Sequence, residues 1–371
     1  MQNDAASAKI LCLSDVAPGY GSSQLQHFTA SLAAMLGDAE VRLICPDQKN
    51  RPPRKSIYDD FNIERITTLM PPHTAAFAVE YNLEIAKIIR EWQPSVVIAS
   101  HGWVLPGVLR RAEQSFRLIY YMLESLAHQV VGVGPWAVDL NADAFCRSDI
   151  VITPEHRRLD HDMEALNVSP LRELELFNVT PFVEHISVPR TERTRAILAA
   201  GAIGPSALSQ HLLASPEEIP VCLAGPLDNV PAIEFVNRLD GGANIYYAGM
   251  LSAEKVVELR SRHAYSVVMW APTNVNQIFA APNKFFETIA VGTPPICAPH
   301  PQCAEIIMKY DCGVLMRDWT EGAFLDAVNE AMWIFDNEPD RYEDMVQNCL
   351  RAAREELNWE MQFEKFRKTW P

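Results

Sequence analysis

The stretch from Pro282 to Leu315, PNKFFETIAVGTPPICAPHPQCAEIIMKYDCGVL, constrains the fold more than any other. Pro282 suits the first position of a helix, where its missing N–H costs nothing. Phe285, Phe286, Ile289 and Ala290 then share one apolar face, while Lys284, Glu287 and Thr288 fall at three- and four-residue spacing on another. Gly292 stops the helix, and Pro294 and Pro295 force an extended exit. Ile296 and Cys297 begin a short buried strand, a second helix starts near Ala304, and Gly313 opens another strand. The order is helix, strand, helix, strand, with Glu287 an isolated carboxylate among apolar neighbours. Such a group beside a helix–strand crevice suits hydroxyl recognition, because it accepts two hydrogen bonds from a diol such as a ribose.

Strand, glycine and helix alternate through the rest of the chain. Lys9–Ser14 reads as a buried parallel strand, followed by the turn Gly19-Tyr20-Gly21-Ser22-Ser23-Gln24, a helix through Phe28, Leu32 and Leu36, and a strand at Val41–Cys45. This is a Rossmann-like opening. A dinucleotide fingerprint wants a third glycine where Gln24 stands. Leu83–Trp92 is an amphipathic helix ended by Pro94, and Val96–Ser100 is the next strand. His101 stands just past its carboxyl end, where open α/β sheets bind ligands. Leu118–Met122 is a strand with Glu124 at its carboxyl edge, Asp149–Thr153 is another, and Leu174–Val179 closes the first half. Arg195–Ala200 restarts the pattern, with a helix beginning near Pro205. Ile219–Ala224 ends in Gly225, and Asn244–Ala248 ends in Gly249 and Met250. Glycine directly after a strand lets a ligand approach the backbone. Ser252 caps a helix, Ser266–Trp270 is a buried strand, and Thr320 caps another helix. Arg341–Leu357 is a long charged helix, and the last helix begins at Asn358-Trp359-Glu360.

At 371 residues the chain exceeds what one core usually organises, so two domains are expected. The net charge of −15 argues against general nucleic-acid binding and against wholesale adsorption to anionic lipid. The polar start MQNDAASAK offers no secretion signal, and no apolar run reaches membrane-spanning length. The eight cysteines form no C-x-x-C pair, and Cys12, Cys45, Cys222 and Cys297 lie in strand-like runs, as reduced core thiols of a cytoplasmic protein do. The loop Lys49–Lys55, KNRPPRK, is basic in an acidic chain. It is either a solvated loop or a point of peripheral contact with an anionic acceptor or lipid head group.

The run at 282–315 resembles the nucleotide-binding signature of GT-B glycosyltransferases, especially the retaining group called family 4: a helix with P-x-K-x-x-E, then G-x-P, then C/G-G. The Trp359-Glu360 helix is similar to the tail of that fold. The resemblance implies an α/β GT-B fold, two Rossmann-like domains with parallel sheets facing a central cleft. Residues 1–188 would form the acceptor-side domain, with helix 358–371 crossing back to it, and 189–357 the nucleotide-sugar domain. It implies transfer of a sugar from a nucleotide diphosphate donor, such as a UDP-, GDP- or TDP-sugar, to a hydroxyl acceptor on a glycan, lipid or protein. Retention, no metal and no cofactor are implied with it.

Residue by residue, the resemblance makes Glu287 the ribose ligand and Lys284 the cation for the departing diphosphate. Asn283, Thr293, Gly225, Gly249 and Met250 would border the nucleotide. His101 would touch the donor sugar, and Gly21, Ser22 and Glu124 would line the acceptor side, although Gly21 and Ser22 equally suit a structural turn. Asp160-His161-Asp162 has the form of the D-x-D metal motif of the other large glycosyltransferase fold, but on a helix the two aspartates diverge by about 200°. The chain departs from the family pattern in two places. Phe279 stands where E-x7-E puts its first glutamate, and Gly201–Gly204 lacks the usual Arg and Lys. Those departures keep a catalytically inactive GT-B binding protein as an alternative, and Gly19-x-Gly21 keeps a nucleotide-dependent Rossmann oxidoreductase.

Overall fold

The computed structural model describes residues 7–17, 23–37, 39–47, 61–71, 73–110, 115–125, 136–184, 188–227 and 244–370. The chain divides into two compact units, Met1–Phe177 with Phe363–Pro371, and Asn178–Gln362.

The first unit is built on seven parallel strands: β1 (Lys9–Leu13), β2 (Glu40–Pro46), β3 (Asn62–Ile66), β4 (Val96–Ser100), β5 (Arg117–Tyr121), β6 (Ile150–Thr153) and β7 (Glu173–Glu175). Their spatial order is β3-β2-β1-β4-β5-β6-β7, with Leu11 opposite Arg42 on one side and Val97 on the other. Strands β4 and β6 are buried along their whole length, as expected where helices cover both faces of a parallel sheet. The helices are α1 (Ser23–Met35), α2 (Ala75–Trp92), α3 (Leu105–Leu109), α4 (Trp136–Arg147) and α5 (His156–Leu166). Helix α2 starts eight residues before the expected Leu83, because the Thr74 side chain accepts from Phe77 N and caps it there. Strand β3, NIERI, has no apolar alternation to betray it, and it adds at the sheet edge, where Glu64 pairs with Arg42.

The second unit holds six parallel strands: β8 (Thr194–Ala200), β9 (Val221–Ala224), β10 (Ile245–Tyr247), β11 (His263–Val268), β12 (Pro295–Cys297) and β13 (Val314–Leu315). They lie in the order β10-β9-β8-β11-β12-β13. No helix follows Pro205; two short 3-10 turns, Pro205–Ala207 and Ser209–Ala214, meet at Leu208, whose φ of 50° breaks any continuous helix. The helices are α6 (Ala253–Arg262), α7 (Val275–Ile278), α8 (Asn283–Ala290), α9 (Pro301–Tyr310), α10 (Glu321–Asn337) and α11 (Pro339–Glu355). Pro282 is the residue before α8 and not its first, and α9 starts at Pro301, three residues ahead of Ala304. Tyr342 is fully buried, donates to Ala264 O at 2.6 Å and sets its ring against Tyr265, locking α11 to β11.

The last helix, α12 (Trp359–Thr369), begins in the second unit and ends in the first. Trp359 N bonds Thr180 O, whereas Phe366, fully buried, meets Phe28 edge-on at 4.7 Å. All eight cysteines are free, and seven are buried. Among the described residues no helix is long and apolar enough to cross a membrane.

Candidate active site

Each sheet reverses its strand order once, and an open parallel sheet has its crevice there, outside the carboxyl ends of the two diverging strands. In the second unit the reversal lies between β8 and β11. Gly201 follows β8, and Met269 and Trp270 follow β11. Lys284 reaches this point from the first turn of α8. Its Nζ donates to Met269 O at 3.3 Å and stands 4.8 Å from the Trp270 ring centre. A Cβ on Gly201 would touch its Cδ at 3.8 Å. Burial pushes the Lys284 ammonium down to about 8, and the nearby Arg260 cation adds to the effect. An underpaired, partly desolvated ammonium beside a strand-end glycine is prepared for an incoming anion.

Glu287 lies one turn further along α8, and it is not the isolated carboxylate expected from its neighbours. Arg260, at the end of α6, places Nη1 2.5 Å from Glu287 Oε2. The Glu287 side chain is 35 % exposed and the Arg260 side chain 5 %. Arg260 is held in turn by Thr293, whose hydroxyl donates to Arg260 O at 2.7 Å and accepts from Arg193 Nη1 at 3.0 Å. Thr293 is fully buried, so its hydroxyl is used inside the fold and offers nothing to a nucleotide.

The strand-end glycines make a continuous backbone edge. Gly201 N donates to Ala224 O, and Gly225 N donates to Gly249 O at 3.0 Å. Gly225 has φ 138°, and a Cβ there would sit 2.1 Å from Gly201 O. Only glycine allows that approach. Met250 is 58 % exposed beside Gly249, and Asn283 opens α8 next to Lys284. Phe279 ends the one-turn helix α7.

In the first unit the reversal lies between β1 and β4. Asp15 follows β1 and His101 follows β4. His101 Nδ1 is 2.6 Å from Asp15 Oδ1, and His73 Nε2 is 3.1 Å from Asp15 Oδ2. Helix α2 fixes both loops: Tyr81 OH donates to Ser14 O, and Asn82 Nδ2 donates to Trp103 O while its Oδ1 accepts from Gly107 N. Burial pushes the Asp15 carboxyl up, but the two histidines outweigh it and hold it well below the usual range. Burial pushes the His101 imidazole down, yet the Asp15 charge, with Glu124 adding, leaves it above its ordinary value. Glu124 is exposed past the end of β5. Gly21, Ser22 and the basic loop 49–55 lie outside the described residues.

Asp160 and Asp162 both lie on α5, and Asp162 is buried and accepts from Ser125 Oγ at 2.5 Å. Glu155, His156 and Glu175 offer atoms within 4.8 Å of one another, but Arg157 Nη1 already shares Glu155 Oε1 at 3.1 Å.

The sequence drew attention to His101, Lys284 and Glu287 but passed over Asp15, His73 and Arg260. Asp15 obeys the same rule that selected His101, a polar residue directly after a buried strand. His73 and Arg260 carry no local signal, because their meaning depends on what lies across the fold.

No family model matches the chain, and no curated protein matches it by sequence. Solved structures do. Sucrose-phosphate synthase from Thermosynechococcus elongatus superposes with a TM-score of 0.73 at 15 % identity, over 98 % of each chain. Anabaena HepE in complex with UDP and glucose gives 0.70 at 12 % identity over 98 % of this chain and 99 % of its own. WaaG, a glycosyltransferase of lipopolysaccharide biosynthesis, gives 0.69 at 13 % identity over 96 % and 98 %. With its two all-parallel sheets, each reversed once, the chain has the GT-B fold of these glycosyltransferases.

Proposed function

We propose that the protein is a glycosyltransferase that moves a sugar from a nucleotide diphosphate donor to a hydroxyl acceptor. The observation that carries this reading is the placement of Lys284 at the β8–β11 crevice, against Gly201 and one turn from Glu287. The strand-end edge of Gly201, Gly225 and Gly249 would receive the nucleotide, with Met250 and Asn283 at its border. Glu287 would hold the ribose with the oxygen that Arg260 leaves available. The donor C1–oxygen bond to the diphosphate breaks, and a bond from C1 to the acceptor oxygen forms on the same face. The acceptor proton passes to the departing phosphate oxygen. Lys284 and backbone N–H groups stabilise the charge that develops on the diphosphate, the kind of contribution worth about 3 kcal/mol per group. His101 would orient the sugar, and Glu124 with Gly21 and Ser22 would receive the acceptor. Retention and independence from metal belong to this proposal, as does cytoplasmic residence, which eight unpaired cysteines support.

The test is a thermal shift against UDP-, GDP- and TDP-sugars and NAD(H), followed by NMR of the product anomer with and without EDTA. Stabilisation by one nucleotide sugar with turnover of equal rate in EDTA and retained configuration is the expected result. Binding without turnover would make the protein a GT-B binding protein, the reading that Phe279 favours. A response to NAD(H) alone would overturn sugar transfer.

A further inference from the structure

The Asp15 carboxylate is 4 % exposed, and burying a charge is costly unless partners match it. Here the matching is by two imidazoles from separate loops, one on each oxygen. An apolar residue after β1 would fill this space at lower cost. The His101 backbone is itself unusual, with φ 65° and ψ 158°, a strained conformation for a residue with a side chain. Strain of this kind persists where the surroundings hold it, and here Asn82 ties down Trp103 and Gly107 just beyond. Nδ1 of His101 is committed to Asp15, and among the described residues Nε2 has no hydrogen-bond partner. Its side chain keeps 12 % exposure at the crevice.

We propose that Asp15 is a positioning residue that holds His101 by Nδ1 in the imidazolium form, so that Nε2–H is offered as a hydrogen-bond donor to the donor sugar. This rests on the reading of His101 as a donor-sugar contact. His73 completes the device by occupying the second oxygen, which stops the carboxylate from rotating away; its own ring leans on Trp103 at 5.6 Å. The groups that face the pair from the described elements are few. Asp15 comes from the β1 loop, His73 from the turn before α2, and Glu124 from the β5 loop. Tyr81 and Tyr120 stand near Asp15 as phenols that burial keeps neutral. Both carboxylates therefore favour a charged His101. Since the folded imidazole binds its proton more tightly than usual, the donor disappears as pH rises through the raised value.

The first experiment uses the wild-type full chain without ligand. Imidazole 15N shifts of His101 should show both nitrogens protonated at pH 7, and a neutral ring there would overturn the proposal. In Asp15→Asn the hydrogen bond survives without the charge, and the His101 midpoint should fall by about one pH unit or more. Its kcat/KM for the nucleotide sugar should drop at least about tenfold at pH 7.5 and recover on acidification. An unmoved midpoint, or a moved midpoint with an unchanged pH profile, would overturn the positioning role. Should Asp15→Asn not fold, His73→Ala keeps the carboxylate but lets it turn away, so the His101 midpoint should fall; an unmoved or raised midpoint would sink the idea. If no nucleotide sugar binds the wild type, the sugar-transfer reading fails, while the His101 midpoints still report on Asp15.

Discussion

Arg260 Nη1 sits 2.5 Å from Glu287 Oε2, a nearly buried guanidinium holding a carboxylate that is one-third exposed. The pair couples α6 to the helix that also carries Lys284. Its first consequence is that Glu287 would meet the proposed ribose with one oxygen already fixed and its charge already balanced.

Arg260→Met should therefore weaken both the fold and the nucleotide site. Breaking a fully buried pair costs about 3–5 kcal/mol. The exposure of Glu287 reduces this to about 1–2 kcal/mol. Urea unfolding would measure it, and the thermal shift given by the preferred nucleotide sugar should shrink with it. Arg260→Lys should recover part of the stability but less of the ligand response, because a point charge does not fix the carboxylate as a planar fork does. Equal ligand responses in wild type and Arg260→Met would show that Arg260 only supports packing.

Lys284 gives a prediction of opposite sign for stability and binding. Its folded value, about 8, lies below the usual 10.5, so the unfolded chain binds the proton more tightly. Stability should then rise with pH between about 8 and 10.5, and be lowest, from this group, at neutral pH and below. Lys284→Met keeps the stem and removes the charge, and it should stabilise the apo protein at pH 7 by up to about 3 kcal/mol. The same variant should lose nucleotide-sugar binding by tenfold or more, roughly the 1.4 kcal/mol or more of a charge-assisted bond to phosphate. Denaturant midpoints at pH 7 and 10, with calorimetric titration of the donor, would check both halves.

Gly225→Ala should be severe and Gly249→Ala mild, though both have positive φ. At Gly225 the added Cβ would lie 2.1 Å from Gly201 O, backbone that cannot step aside. A loss of more than about 4 kcal/mol, or failure of the second unit to fold, is expected. At Gly249 nothing lies within 4 Å, and only the φ of 80° opposes a side chain. There the cost should be about 1–2 kcal/mol. Circular dichroism melts of the two variants would separate the effects.

Much of the fold was legible because parallel strands buried on both faces are short apolar runs, and glycine or a capping residue ends them. IVIT and VCLA announce themselves in this way, whereas the strand His263–Val268 begins three residues before the expected Ser266 and stops short of Trp270. NIERI does not, since an edge strand half open to water needs no apolar pattern. The site was legible only in part. Lys284 and Glu287 share a helix turn, a local relation that spacing reveals. Arg260 and Glu287 are 27 positions apart in sequence, and Asp15 and His101 are 86 apart. Those pairs exist only after the sheet has ordered its strands, so nothing near either residue signals its partner. Thr293 shows the converse: its place in the motif suggested a ligand contact, and the fold spends its hydroxyl on two arginines.

Phe366→Ala tests the closing helix. Its ring is fully buried against Phe28, with Phe363 beside it at 5.5 Å. Truncation should cost about 3–5 kcal/mol. The loss should register in the first unit, so hydrogen exchange in β1 and α1 should accelerate while β11 and α11 stay protected. Uniform acceleration would mean that the two units unfold together.

That helix also sets an order of assembly. Residues 363–371 complete a unit whose other members end at Phe177, with the whole of Asn178–Gln362 between them. During synthesis the second unit has all of its own chain before the first does. The earlier unit therefore leaves the ribosome without the Phe363 and Phe366 contacts to Phe28, and it waits for the closing segment while the later one already has all of its own chain.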